Sequence, residues 1–247
     1  MSTILIENIT VYMENDIITG GSILLENGKI AQVFPNSPHN LPSNIEVING
    51  QSLYALPGFI DTHIHGGYGA DVMDSTNGAL QTIAQNLPRE GTTSFLATTI
   101  TQSNDQIQKA LTNVANYKNK LGHAEIVGIH LEGPFVEKEK AGAQPVQYIT
   151  NPNLDLFKKW QQIAAGNIKV ITMAPELDPD GLFIRELVRM GVVVSAGHTN
   201  ASYEEMERAV HNGVSQLTHL CNAMNGIHHR DIGAVGAAFL LPSLKAE

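Results

Sequence analysis

Four histidines and one glutamate fall in short motifs where their side chains could act together: His63 and His65 in FIDTHIHGG, Glu132 in HLEGP, His198 in AGHT and His219 in THLCNAM. Imidazole nitrogens plus a carboxylate, with no thiolate cluster, make the ligand set of a hydrolytic site for zinc or another divalent ion. His63 and His65 are two apart, so on a strand both rings face one side. Taken singly, each histidine needs no more than an ordinary hydrogen bond, and Glu132 could be a solvated acid opening a loop. Joint placement at matching strand ends is what argues for a shared ion. The Gly-Pro pair after Glu132 sets the turn that follows it, and the glycines after His65 allow close backbone approach.

Such residues converge only if the right elements carry them. From residue 58 onward, apolar strand candidates (FIDTHIH, TTSFLATT, EIVGIHLE, IKVITMAP, VVVSAGHT, SQLTHLCNA) alternate with helical segments. Ser103 with Gln106 predicts a capping box and Gly122 a helix stop. Ser202 with Glu205 predicts a second cap, with a Tyr203, Met206 and Val210 stripe and a stop near Gly213. A third helix is expected over 180–190, closed by Gly191. Repeated βα units imply parallel strands, and no G-x-G-x-x-G or P-loop follows any of them. The fold class is therefore α/β: a (β/α)8 TIM-type barrel, incomplete, with about six units. Active-site residues of such a barrel gather at the C-terminal strand ends. Residues 1–56 read as short strands, with a turn at Asn27-Gly28 and a loop at PNSPHNLPSN. They form a small N-terminal module, half of a β-sandwich, and 57–247 form the hydrolase barrel.

The chain's 247 residues carry a formal charge of −9, which argues against nucleic acid or an anionic membrane as partner. A single cysteine, Cys221, rules out an intrachain disulfide, and MSTILIENIT has no signal-peptide pattern, so a cytoplasmic location is expected. Cys221 is expected to be a small buried residue, and His39, His123 and His211 to be surface residues. His130 shares the face of Glu132 and is expected to support it from behind; Asp61 is given no catalytic part. After His219, the run from Asn222 through His228, His229 and Arg230 is either a solvated loop or a pocket for a phosphate or carboxylate.

PGFIDTHIHGG resembles the opening strand of the amidohydrolase superfamily. HLEGPF, SAGHT and THLCNAMNGIHHRD resemble the N-acetylglucosamine-6-phosphate deacetylases within it. That resemblance implies hydrolysis of the N-acetyl group of N-acetylglucosamine 6-phosphate. It implies Glu132, His198 and His219 as ligands of a primary ion, with His63 and His65 holding a second. Zinc is the first candidate, with iron, manganese and cobalt behind it. It also implies a phosphosugar set against Ala143 and Gln144, its phosphate met by Asn222, Ala223 and Arg230 with His229, and a homodimer. Lys169 begins its strand and does not occupy the mouth, as this branch requires. The family's catalytic aspartate, on a further strand, has no counterpart: Asp231 comes too early, and the chain is expected to stop before a seventh strand. Little turnover is expected of such a truncated chain. The rival readings are a metal- and sugar-phosphate-binding fragment without chemistry, or another amidohydrolase of dihydroorotase or aminoacylase type.

Overall fold

In the computed structural model, which describes residues 3–38 and 45–247, the chain divides into two compact units, Met1–Phe59 and Ile60–Glu247. His39 and part of the 35–44 loop lie outside the described residues.

The first unit is one mixed sheet of β1 (Thr3–Tyr12), β2 (Ile17–Glu26), β3 (Lys29–Phe34), β4 (Glu46–Asn49) and β5 (Tyr54–Ala55). β3, β2 and β1 run antiparallel, while β4 and β5 both pair parallel with β1. Asn27 and Gly28 take φ of 52° and 77°, the left-handed pair that a two-residue hairpin needs between β2 and β3. Ile9, Val11 and Ile23 are its buried centre.

β6 (Phe59–Ile64) leads into the second unit, which continues with a short hairpin of β7 (Gly66–Gly67) and β8 (Ala70–Asp71), and then alternating helices and strands. These are α1 (Asn77–Asn86), β9 (Thr92–Thr99), α2 (Asn104–Asn116), β10 (Glu125–Glu132), α3 (Leu154–Ile163), β11 (Ile168–Met173), α4 (Leu182–Arg189), β12 (Val193–Ala196), α5 (Tyr203–Asn212), β13 (Val214–Leu217), α6 (Gly233–Leu240) and β14 (Lys245–Ala246). The sheet order is β14-β13-β12-β11-β10-β9-β6, the order of the chain itself, as in an incomplete barrel. All six expected strands are present. A seventh, expected to be missing, begins at Lys245, where Gln216 and Leu217 pair parallel with Lys245 and Ala246.

Two of the three expected helices begin at a capping side chain. Ser202 accepts from Glu205 N while Glu205 accepts from Ser202 N, and Gly213 closes α5 at φ 116°. Ser103 caps α2, but that helix ends at Asn116, short of Gly122. The reason is Asn119, whose amide bonds both Ile126 N and Ile126 O at 3.0 and 3.1 Å and draws the segment out alongside β10. α4 opens two residues later than expected, where Asp178 accepts from Phe183 N and Ile184 N. The helices bury one side each against the strands, through Leu80, Ile83, Ile107, Leu111, Phe157 and Trp160.

Candidate metal centre

Glu132 is the last residue of β10, His63 lies in β6, and His65 directly follows that strand. His198 and His219 come two residues after β12 and β13. Parallel strands in chain order bring these five side chains, spread over 157 positions of sequence, to one point. Glu132 is 2% exposed. Its Oε1 lies 3.1 Å from His198 Nε2, 3.2 Å from His219 Nε2 and 3.6 Å from His63 Nε2; its Oε2 lies 3.0 Å from His65 Nε2. His198 and His219 meet through Nε2 at 3.1 Å, and His63 and His65 at 3.3 Å.

Burial alone would raise the Glu132 carboxyl, but its four imidazole partners outweigh that and hold it well below the usual carboxylate range. The spacing suits an ion. Ligand atoms about 2.0–2.2 Å from a metal, at angles of about 90–109°, stand roughly 3.0–3.6 Å from one another. Tautomers agree: His198 Nδ1 is 2.8 Å from Lys140 O, which can only accept, so Nδ1 carries a proton and Nε2 is turned to Glu132. Two groupings share Glu132, one with His198 and His219 and one with His63 and His65.

Both His198 and His219 sit in the left-handed region, at φ 48° and 36°, an uncommon conformation for histidine that costs of order 1–3 kcal/mol. Surrounding bonds hold them there. His198 O accepts from Glu137 N, Thr199 N donates to Ala223 O, and Asn222 N donates to His219 O, at 2.9–3.1 Å. The half-buried Glu176, which the sequence did not flag, accepts from Thr199 Oγ1 at 2.5 Å and Asn200 N at 2.6 Å, clamping the turn after His198. Burial raises the Glu176 carboxyl against the pull of those bonds. Gly133 has φ 71°, and a Cβ there would stand 2.1 Å from Thr101 Oγ1, so the turn after Glu132 requires glycine.

His130 is fully buried, but its bonds run sideways and do not reach Glu132. Its Nδ1–H donates to Thr62 O at 2.8 Å, and its Nε2 accepts from Thr172 Oγ1 at 2.6 Å. Thr172 then accepts from Thr218, and Thr218 from Ser195, at 2.7 and 2.6 Å, giving a one-way hydroxyl chain across four strands. Burial, aided by nearby His63, lowers His130 to about 4. Its ring packs 4.7 Å from that of His63, so His63 is the candidate ligand it supports.

Other expectations divide. Gln144 is buried, its Oε1 accepting from Thr101 N at 2.8 Å and its amide 3.4 Å from His198 Nε2. Ala143 is exposed at the site's edge. A Cβ on Gly142 would lie 3.5 Å from His198 Cε1 and 3.9 Å from Ala223 Cβ, so the Ala143–Gln144 loop, His198 and Ala223 converge. Asn222 is exposed beside them. Among the described residues, no hydrogen bond ties His229 or Arg230 to the cluster; Arg230 Nε donates to His229 Nε2 at 3.1 Å on an exposed loop. Cys221 is exposed at φ 81° and is not the buried residue expected, because the turn after His219 directs it outward. His123 is half-buried, His211 is exposed on α5, and Asp61 accepts from His63 N at 3.0 Å.

One further carboxylate was not foreseen. Glu247, after β14, places Oε2 2.8 Å from His63 Nδ1. Among the described residues, it and Glu132 are the only carboxylates within 4.0 Å of a ring nitrogen of a site histidine.

Known proteins resemble this chain in sequence and fold. The chain is 45% identical over 240 residues to an N-acetylglucosamine-6-phosphate deacetylase of Bacillus subtilis (strain 168), which covers 96% of this chain and 60% of that protein. It is 42% identical over 247 residues to the Lysinibacillus sphaericus protein of the same name, covering 99% of this chain and 63% of that one. The chain thus spans about three fifths of the length of these curated relatives. A mutant N-acetyl-D-glucosamine-6-phosphate deacetylase from Mycobacterium smegmatis, solved in complex with N-acetyl-D-glucosamine-6-phosphate, superposes with TM-score 0.86 at 28% identity, covering 100% of this chain and 63% of that one. The sequence profile of the Amidohydrolase family matches residues 54–247, the segment that holds every side chain of the centre, and the chain belongs to that family.

Proposed function

We propose that this chain carries the metal-binding part of an N-acetylglucosamine-6-phosphate deacetylase active site, in a cytoplasmic enzyme of amino-sugar breakdown. The observation that supports it most is the Glu132 carboxylate, with four imidazole Nε2 atoms within 3.0–3.6 Å at the mouth of parallel strands. On this reading Glu132, His198 and His219 hold a primary ion, and His63 and His65 with Glu132 hold a second. Zinc is the first candidate, ahead of iron, manganese and cobalt. Such an ion, when bound, lowers the pKa of water to about 7 and polarises the acyl oxygen.

The remaining work falls to the chain's own residues. The Lys140 carbonyl fixes His198 so that its Nε2 faces the ion. Gln144, held by Thr101 N, turns its amide toward His198, and the sugar lies against it and Ala143. Asn222 and Ala223 contact the phosphate, and Arg230 with His229 completes its neutralisation, in a homodimer. C–N cleavage also needs an acid to protonate the leaving amine. Glu132 faces four histidines and Glu247 faces His63, so neither is free for that task.

That shortage favours a second reading, in which these 247 residues bind the ion and the sugar phosphate with little chemistry. Acetate release from N-acetylglucosamine 6-phosphate, with zinc present, separates the two. The chain as it stands should run roughly 10²–10⁴-fold below a version extended as in its longer relatives. Equal rates would show that no further acid is needed. Release by neither chain, with metal bound, would remove the deacetylase reading.

A further inference from the structure

The geometry points to Glu247 as the positioning residue that holds His63 for the second ion, an inference that rests on the metal reading above. The three partners of His63 differ in kind. Its Nε2 faces Glu132 and His65, while its Nδ1 lies 2.8 Å from Glu247 Oε2. A carboxylate on Nδ1 makes that nitrogen the proton carrier and leaves Nε2 as the ligand atom, the carboxylate–histidine–metal arrangement that orients a ring and raises its basicity. His198 obtains the same service from Lys140 O. Among the described residues, Glu247 is the one charged group in that role; 18% of its side chain is exposed against 15% for His63, although Glu247 as a whole residue is exposed. Backbone bonds fix its position, since Glu247 N donates to Leu217 O and Leu220 N donates to Glu247 O, at 3.0 and 3.1 Å.

A competing use of these groups fails. His63, His130 and Glu247 lie close enough together to suggest a third ion site. Yet Nδ1 of His130 donates to Thr62 O and its Nε2 accepts from Thr172, so neither nitrogen has a lone pair to offer. His130 packs against the His63 ring and Glu247 ties its edge; together they set the ring's plane. Glu247 Oε2 also lies 3.4 Å from His219 N, a long contact that gives the first ion little.

Zinc titration of the metal-free 247-residue chain by calorimetry tests this, with Glu247→Ala, Glu247→Gln and His63→Asn alongside. The wild-type chain should take up two ions, and His63→Asn should identify the second step by weakening it. Glu247→Ala should weaken that step by roughly 10–100-fold and leave the first within about threefold. Glu247→Gln keeps an oxygen that accepts from Nδ1–H and should restore most of the loss, which a merely structural role would not predict. An unchanged second step in Glu247→Ala overturns the inference while the metal reading stands. So does equal weakness in both variants, or uptake of a single ion indifferent to His63→Asn. A wild-type chain that binds no zinc overturns the metal reading and this inference together.

Discussion

Replacing Glu132 by glutamine keeps the side-chain length but removes the charge on which four imidazole nitrogens converge. An amide offers only one acceptor oxygen, and its NH2 would turn toward a histidine nitrogen. Both candidate ion positions use Glu132, so Glu132→Gln should empty both. Changes one shell further out cost 10–100-fold in metal affinity, so losing this shared group should cost at least roughly 100-fold. Elemental analysis of the purified variant, expected to hold most of its metal no longer, checks this; full retention would refute the ligand role. His198 and His219 show the same dependence through their backbones. Their left-handed conformations persist because Glu137, Ala223 and Asn222 engage the chain on either side.

The βα units act as rulers, each delivering one or two polar residues to the same end of the sheet. α5 illustrates how local chemistry sets that length. Its capping box at Ser202 and Glu205 begins the helix four residues after His198, and Gly213 ends it directly before β13. Ser202→Ala should destabilise the chain by about 1 kcal/mol, read by urea denaturation of the metal-free protein. A loss below about 0.3 kcal/mol would mean that the cap contributes nothing beyond water. Glu176 works at the same scale by tying the end of β11 to the turn after β12. That tie was not legible in MAPE or AGHTNA, because it joins residues 23 and 24 positions apart through a turn of irregular backbone.

Across the whole molecule, the buried His130 and the half-buried His63 oppose each other in pH dependence. Burial holds His130 at about 4, below its unfolded 6.5, so the folded state resists its protonation and stability falls as pH drops from 6.5 toward 4. Burial also pulls His63 down, but bonds to Glu132 and Glu247 prevail and raise it to about 9. Its contribution is complete below 6.5 and fades as pH rises toward 9. As far as these two groups decide, the metal-free chain should be most stable near pH 6.5, with His63→Asn flattening the alkaline limb. Denaturation midpoints between pH 4 and 9 measure both limbs; an alkaline limb that survives in His63→Asn would assign it to another group. Among the described residues, no helix is long and apolar enough to cross a membrane.

Period, caps and punctuation made the barrel strands, α5 and the candidate ligand set legible before any coordinates, because each depends on residues within one turn or one strand. The five-residue cluster was readable for a related reason: in parallel βα repeats the end of every strand points the same way. What the sequence left open depends on contacts between distant segments. The early end of α2 rests on Asn119 reaching Ile126, and the direction of the His130 hydroxyl chain on four strands meeting. The acceptor on His63 is 184 positions away. Only the register of β14 against β13 brings Glu247 to that ring, and no local pattern in LPSLKAE encodes it.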